Sequence, residues 1–211
     1  MSKDHITQTI DVYNAIAADY ADTIENYAPQ KELDQFLRLV KKGGEILDVG
    51  CAAGRDSFYF AEHELKVTGI DLSEQLLKIA RKKGPHLNFK KQDMRQLKFS
   101  PASFDGIWAH ASLLHLSRNE VPSVLRQFFK ILKSTGILYI SVKVGDGEAD
   151  VIDDFSSEYP RHFTFFRKVE LNKMIGNSGF KVLNIYKFTS RTRTSASGGP
   201  LNWIASFSRK P

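Results

Sequence analysis

The sequence predicts an α/β protein built around one doubly wound, mostly parallel β-sheet. Three features predict it: strands and helices alternate from residue 45 to residue 142, a glycine-punctuated turn follows the first strand, and two strand-like runs end the chain. Strands that alternate with helices are joined by right-handed crossovers, which lay the strands parallel. Because 42% of the 211 residues are hydrophobic, the chain can form one substantial core. We therefore expect a single domain over residues 1–211.

The periodicity of apolar residues gives the expected elements. Two helices, Thr9–Asn26 and Leu33–Val40, are predicted ahead of the first strand. The alternating region is then predicted as strand Ile46–Val49, helix Asp56–His63, strand Lys66–Ile70, helix Glu74–Lys82, strand Leu87–Lys90, strand Gly106–Ala109, helix Val121–Leu132 and strand Ile137–Val142.

The last third of the chain is predicted to hold a loop, a helix and a hairpin. Asp146–Pro160 is acidic and aperiodic and is expected to be a loop or lid, followed by a helix over Lys168–Asn177. The runs Lys181–Thr189 and Asn202–Ser208 flank Ser195–Pro200, whose composition suits a hairpin turn. This pair is expected to close the sheet in an antiparallel arrangement.

Composition excludes several classes of site. Cys51 is the only cysteine, which rules out an intramolecular disulfide and a thiolate metal cluster, and no other metal spacing is found, so no metal is predicted. No apolar run approaches the roughly 18 to 20 residues of a membrane span, and no signal segment appears. We therefore expect a cytoplasmic protein without a membrane partner. The net charge of +6 is interspersed with acidic residues and predicts a solvated basic surface.

The turn after the first strand is the first candidate ligand site. Gly50 and Gly54 suit unusual backbone angles or a close approach to a ligand, and Ala52 adds only one methyl group between them. A dinucleotide fingerprint beginning at Gly50 would need glycines at positions 52 and 55, so a nicotinamide cofactor is disfavoured. A Gly-Lys-Ser/Thr sequence, which would cradle a triphosphate, is also missing from the chain. An adenosine ligand without a pyrophosphate remains.

This strand and turn resemble those of the class I S-adenosylmethionine-dependent methyltransferases. In that family a D-x-G-x-G-x-G sequence lies against the methionine portion of the cofactor, and here Ala52 stands in place of the middle glycine. The resemblance implies S-adenosylmethionine as the cofactor and a Rossmann-like fold with a seven-stranded sheet. It also implies cofactor contacts at Asp48, Gly50, Cys51, Ala52 and Gly54.

Two further acids extend the resemblance. Asp71 ends the second strand about 20 residues after the turn, where a carboxylate can accept hydrogen bonds from both ribose hydroxyls. The alternative for Asp71 is capping of the helix that follows. Leu72 is placed in the same cofactor site. By resemblance, Asp93 accepts from the adenine amino group and Met94 packs on the ring.

The run from residue 104 to residue 115 resembles the family's fourth strand and the loop where the methyl acceptor approaches. The resemblance implies a cofactor contact at Ala109. His110 and His115 are candidate general bases because the ordinary pKa of histidine, about 6.5, suits proton removal; His115 is favoured by the resemblance. Hydrogen bonding or packing is the alternative role for both. Asp105 is expected to be structural.

Three other groups are candidates for the same site. Residues 13–20 resemble a helix that covers the cofactor in many small-molecule methyltransferases, and Tyr13 and Tyr20 lie seven residues apart and should share one helix face. Lys143 could bind an acidic acceptor or be a solvated loop lysine. Arg161 and the aromatic residues around Phe163 could line the acceptor pocket or form a strand beneath the lid.

The predicted function is methylation of a small-molecule acceptor. The domain would then consist of cover helices over 1–42, a cofactor-binding core over 43–145, a lid over 146–167, and a C-terminal helix and hairpin over 168–211. One alternative is methylation of RNA, such as tRNA, by basic residues of the hairpin: Lys187, Arg191, Arg193, Arg209 and Lys210. A regulator that binds S-adenosylmethionine without turnover and a protein methyltransferase are the others. The acceptor and the oligomeric state are not predicted.

Overall fold

Strands dominate the centre of the molecule in the computed structural model, which describes residues 4–153, 156, 159–194 and 200–211. The described residues form nine strands: β1 Glu45–Val49, β2 Lys66–Asp71, β3 Asn88–Lys91, β4 Phe104–His110, β5 Leu132–Lys143, β6 Glu148–Val151, β7 Arg161–Thr164, β8 Lys181–Thr194 and β9 Pro200–Arg209.

Seven of these strands form one sheet in the order β3-β2-β1-β4-β5-β9-β8. The first five are parallel, and β9 pairs antiparallel with both β5 and β8. Strands β6 and β7 form a separate antiparallel pair. The doubly wound, mostly parallel seven-stranded sheet with an antiparallel C-terminal hairpin is therefore confirmed.

Helices cover both faces of the large sheet. The described α-helices are α1 His5–Ala15, α2 Ala17–Ile24, α3 Gln30–Leu39, α4 Arg55–Glu62, α5 Glu74–Lys83, α6 Val121–Ile131 and α7 Lys168–Asn177. Short 3₁₀ turns occupy Glu25–Tyr27, Met94–Gln96 and Leu113–His115.

The core has two layers because side chains alternate between the faces of each strand. On β4, Trp108 points to one face and packs against Phe36 of α3 and Phe60 of α4, with ring centroids 5.2 Å apart in both pairs. Its neighbour Ile107 points to the other face, into the cluster that contains Phe128 of α6. The sheet is thus buried on both sides, as a parallel sheet requires.

The helix predicted over Thr9–Asn26 is two helices. The chain leaves helical geometry at Ile16, where φ is −101° and ψ is 13°, and α2 starts at the next residue. Tyr13 and Tyr20 therefore lie on different helices rather than on one helix face, and the prediction of a shared face is wrong. Their rings still meet edge to face at 5.0 Å because α1 and α2 fold against each other.

The predicted loop over Asp146–Pro160 contains strand β6. Its four residues include two acids, which hides it in the sequence, but pairing with β7 stabilises it: His162 lies 3.2 Å from Asp150 and 3.3 Å from Glu148 across the pair. Arg161–Thr164 is accordingly a strand, one of the two predicted possibilities. The predicted turn of the C-terminal hairpin, at 195–199, lies outside the described residues.

None of the helices that the structure describes has both the length and the apolar character needed to cross a membrane.

Candidate active site

One cavity lies at the carboxyl ends of β1, β2 and β4, where open α/β sheets bind ligands. Helices α1 and α2 form its roof, and the turn after β1 forms its floor. The lining includes twelve of the predicted site residues: Tyr13, Tyr20, Asp48, Gly50, Cys51, Ala52, Asp71, Leu72, Asp93, Met94, His110 and His115. The structure therefore brings together most of the residues singled out by the sequence.

The turn at residues 50–54 needs small residues for two physical reasons. Gly50 has φ of +76°, and a β-carbon there would lie 2.6 Å from the β-carbon of Ser112. Ala52 also has a positive φ, 49°, and its N–H donates to Oδ2 of Asp71 at 2.9 Å. The floor of the cavity is therefore a close-packed backbone surface with few side-chain atoms between it and a ligand.

Two predicted contact residues lie outside the cavity lining. Gly54 has φ of +89°, and a β-carbon there would lie 2.9 Å from Phe58 and 3.0 Å from Phe89, so close packing explains this glycine. Ala109 is fully buried in the core cluster with Ile107, because alternate residues of β4 share that face. The cofactor contacts of Gly54 and Ala109 are therefore not supported by the cavity lining and stay predictions.

Asp71 is held at the cavity wall by backbone donors. Its Oδ1 accepts from the N–H of Ser73 at 2.8 Å and its Oδ2 accepts from Ala52. Ser73, and not Asp71, caps α5 with its side chain, so the capping alternative for Asp71 is wrong. Desolvation raises the pKa of Asp71 while these backbone N–H groups oppose the rise. Each oxygen can accept a further hydrogen bond from a ligand.

A second pair of acids lies beneath the cavity. Asp48 accepts a hydrogen bond from Ser57 at 2.6 Å, and Asp56 accepts from Arg55 at 2.7 Å and from the Trp108 indole at 2.8 Å. Burial, helped by the nearby Asp56 carboxylate, raises the pKa of Asp48. Asp56 keeps the negative charge because Arg55 lowers its pKa against the effect of burial. Asp48 thus offers a neutral or readily protonated carboxyl group to the cavity floor.

Asp93 is fixed by Arg95. The guanidinium of Arg95 donates from Nε and Nη2 to Oδ2 of Asp93 at 2.9 and 2.8 Å, and from Nη1 to Glu120 at 3.1 Å. The backbone N–H of Arg95 also donates to Oδ1 of Asp93 at 2.8 Å. The Asp93 carboxylate is therefore held rigidly beside Met94 at one end of the cavity.

Tyr13 of α1 holds the roof of the cavity in place through hydrogen bonds. Its hydroxyl lies 2.9 Å from Nε2 of His115 and accepts a hydrogen bond from Nη1 of Arg161 at 2.6 Å. Arg161 also pairs with Asp153 and lies over the rings of Tyr13 and Phe163. Lys143 joins the same buried group, 3.6 Å from Asp153. Neither Lys143 nor Arg161 lines the cavity, and contact of either side chain with an acceptor stays a prediction.

The partners of Tyr13 and His115 fix where the protons lie. Nδ1 of His115 lies 2.8 Å from the carbonyl oxygen of His162, and because a carbonyl can only accept, Nδ1 carries the proton. Arg161 can only donate, so the Tyr13 hydroxyl must give its own proton to Nε2 of His115. His115 is therefore a neutral imidazole whose Nε2 lone pair is already used.

Desolvation under α1, together with the positive charges of Arg161 and Lys143, lowers the pKa of His115 to about 3. The expectation of an ordinary histidine pKa near 6.5 is thus not met. His110 lies on the same cavity, where Ser141 Oγ is 2.9 Å from its Nδ1 and its ring stacks with those of Trp108, Tyr139 and Trp203.

Sequence reasoning missed several lining residues. Ile6, Ile10 and Leu116 give the cavity an apolar wall, and Gln92 and Ser112 add polar groups. The helical spacing of Ile6, Ile10 and Tyr13 could have predicted this wall, since positions four and seven residues apart share a helix face. Gln92 and Ser112 carry no such periodicity. Asp105 is structural, as predicted: it accepts from the N–H of Glu45 and from Lys133.

Comparison with known proteins shows that this chain is similar to methyltransferases. A family model described as a methyltransferase domain matches residues 46–136. YqeM of Bacillus subtilis, a candidate methyltransferase, is 31% identical over 149 residues, which cover 68% of this chain and 60% of YqeM. An O-methyltransferase of Pyrenophora dematioidea is 30% identical over 173 residues, covering 77% of this chain and 64% of that protein. The chain thus spans less than two thirds of the length of these relatives.

The solved structure of 1,6-didemethyltoxoflavin-N1-methyltransferase from Burkholderia thailandensis, with bound 1,6-didemethyltoxoflavin and S-adenosylhomocysteine, superposes with a TM-score of 0.69 at 20% identity. The match covers 100% of this chain and 91% of that one, and at this identity it shows the fold. Sequence and fold agree, and the chain belongs to the class I S-adenosylmethionine-dependent methyltransferases.

Proposed function

We propose that this chain binds S-adenosylmethionine in the roofed cavity and transfers its methyl group to a small-molecule acceptor. The observation that carries the proposal is the arrangement of Asp71 and Asp93 as two hydrogen-bond acceptors on one wall, above a turn with almost no side chains. Hydroxyls of a ribose and the amino group of an adenine are the donors that such a wall would bind.

The remaining residues of the cavity fit the same cofactor. Ser112 Oγ and Gln92 Nε2 are enclosed and have no hydrogen-bond partner among the described residues, as expected of groups that face a polar ligand. Leu72, Met94 and Ile10 supply apolar surface beside Asp93, suited to the faces of a purine ring.

When bound, S-adenosylmethionine supplies an electrophilic methyl group on a sulfonium. The protein must then orient the acceptor, exclude water and remove a proton from any acceptor that carries one. In this chain α1 and α2 exclude water, since Tyr13 and Tyr20 close the roof against each other and against His115. Orientation of the acceptor falls to the groups around them.

Proton removal is assigned differently from the sequence-based hypothesis. His115 holds the Tyr13 hydroxyl and resists protonation, so we propose that it positions Tyr13 rather than acting as a free base. His110, the second candidate, lies on the same wall and is the histidine we propose for any proton transfer. An acceptor that arrives deprotonated would need neither.

A small acceptor is favoured over RNA by the position of the basic residues. Lys210 donates to the carbonyls of Phe129 and Leu132, at the end of α6, and so serves the fold. Lys187 lies opposite Ile204, several residues along the hairpin from Arg209. The side chains of Arg191 and Arg193 lie outside the described part of the chain. The names of the Pyrenophora relative and of the Burkholderia enzyme also describe methyltransferases, and the second structure contains the small molecule 1,6-didemethyltoxoflavin.

The proposal is tested by incubating the purified protein with cofactor labelled in its methyl group and separate metabolite and RNA fractions. We expect label in small molecules that survive ribonuclease treatment. Label that disappears after ribonuclease would support the RNA alternative. Cofactor binding without incorporation into any fraction would support a regulator without turnover.

A further inference from the structure

The side-chain amide of Gln92 has no role in the fold that the structure shows. Its Nε2 is enclosed at the edge of the cavity and lacks a hydrogen-bond partner in the part of the chain that is described. An unpaired buried donor costs about 1 to 3 kcal/mol of stability, so native proteins rarely keep one without a use. The position of Gln92 suggests that use.

The backbone of Gln92 is fixed between the two predicted cofactor carboxylates. Its N–H donates to the carbonyl oxygen of Asp71 at 3.1 Å, and the next residue is Asp93. The amide therefore reaches the cavity from a rigid point, and Leu72 and Met94, the residues that follow the two carboxylates in the chain, also line the cavity.

Asp93, its neighbour, can only accept hydrogen bonds. Arg95 donates to both of its oxygens and is anchored in turn by Glu120, so the Asp93 carboxylate is held in place as an acceptor. An ionised carboxylate has no proton to give, whereas the nitrogen of an amide can only donate. Asp93 and Gln92 together thus present one acceptor and one donor to the same end of the cavity.

This pair complements adenine and opposes hypoxanthine. Adenine offers an amino donor at position 6 and a lone pair at N1, whereas a 6-oxopurine offers an acceptor at position 6 and a proton on N1. Resting on the proposed function, we propose that Gln92 donates to N1 of the cofactor's adenine while Asp93 accepts from its amino group. Gln92 would then be a specificity-determining residue that makes the protein select adenosine over inosine ligands.

The test is calorimetric titration with two ligands, S-adenosylhomocysteine and its 6-oxo analogue, S-inosylhomocysteine. Gln92→Ala should bind S-adenosylhomocysteine about threefold to tenfold more weakly than the unchanged protein, the cost of one hydrogen bond. Its affinity for the 6-oxo analogue should fall less than its affinity for S-adenosylhomocysteine, or should rise. The ratio of the two affinities, which measures the preference for adenine, should therefore become smaller. Gln96→Ala, an exposed glutamine four residues further on, is the matched control and should leave both affinities unchanged.

Thermal unfolding without ligand separates this role from a structural one. Because Gln92→Ala removes an unpaired donor, its melting temperature should equal or exceed that of the unchanged protein while its affinity falls. Unchanged affinity and unchanged adenine preference in a folded Gln92→Ala protein would overturn the proposal. Failure of the unchanged protein to bind S-adenosylhomocysteine at all would instead overturn the proposed function.

Discussion

At the scale of single residues, the site depends on which groups can donate and which can accept. The carbonyl of His162 and the guanidinium of Arg161 leave one arrangement of protons for Tyr13 and His115. From the sequence, His115 is interpreted as a general base because it follows the fourth strand of the sheet. The contacts of His115 instead make it a neutral imidazole whose Nε2 already accepts a hydrogen bond from Tyr13.

This assignment predicts a pH dependence of stability. The pKa of His115 is about 3 in the folded chain and about 6.5 in the unfolded chain, so between these values the unfolded chain binds more protons. The stabilisation from His115 is therefore present above pH 6.5 and is lost as the pH falls below it. His115→Gln should lack this loss, so the difference in unfolding free energy between the unchanged protein and the variant should shrink by about 2 kcal/mol from pH 7 to pH 5.

Urea denaturation across that pH range measures the difference. His86→Gln, at an exposed histidine, is the control and should run parallel to the unchanged protein. If the gap between the unchanged protein and His115→Gln is constant with pH, His115 titrates normally and remains eligible as a base.

At the scale of elements, the roof helix α1 is held by side chains from distant parts of the chain. Tyr13 reaches Arg161 of β7, 148 positions away, and Asn14 accepts from the Ser73 hydroxyl at 2.8 Å, at the start of α5. Thr9 accepts from the N–H of His162 at 3.1 Å. Helix α1 is therefore coupled both to the cofactor wall and to the β6–β7 pair.

Removing the Tyr13 hydroxyl should increase local opening of α1 and leave the opening of the sheet unchanged. Tyr13→Phe leaves Nη1 of Arg161 and Nε2 of His115 without this partner, at a cost of about 1 to 3 kcal/mol for an unpaired buried group. Amide hydrogen exchange followed by mass spectrometry should show α1 exchanging about tenfold faster, with β1, β4 and β5 unchanged.

Tyr159→Phe provides the comparison, since Tyr159 is 54% exposed and its hydroxyl should not matter to α1. Equal exchange of α1 in Tyr13→Phe and the unchanged protein would show that the hydroxyl does not hold the roof.

At the scale of the whole molecule, the regular features could be predicted and the long-range ones could not. Alternating strands and helices specify the sheet, and the acids that end β2 and follow β3 fall on its ligand-binding edge because parallel strands end together. The break at Ile16 and the pairing of β6 depend on partners far along the chain, which local periodicity does not contain. Ala109 lies outside the cavity lining for a local reason: the alternation along β4 points it into the core.

The central claim is that this cavity holds S-adenosylmethionine through Asp71, and calorimetric titration with S-adenosylhomocysteine tests it most directly. We expect binding of one ligand per chain, no binding of NAD, and a loss of a few kcal/mol in Asp71→Ala, at about 1.5 to 3 kcal/mol for each hydrogen bond to a charged acceptor. Asp105→Ala alters a carboxylate outside the cavity and should bind the ligand as the unchanged protein does, provided that it folds. An Asp71→Ala protein that binds S-adenosylhomocysteine with unchanged affinity would contradict the account.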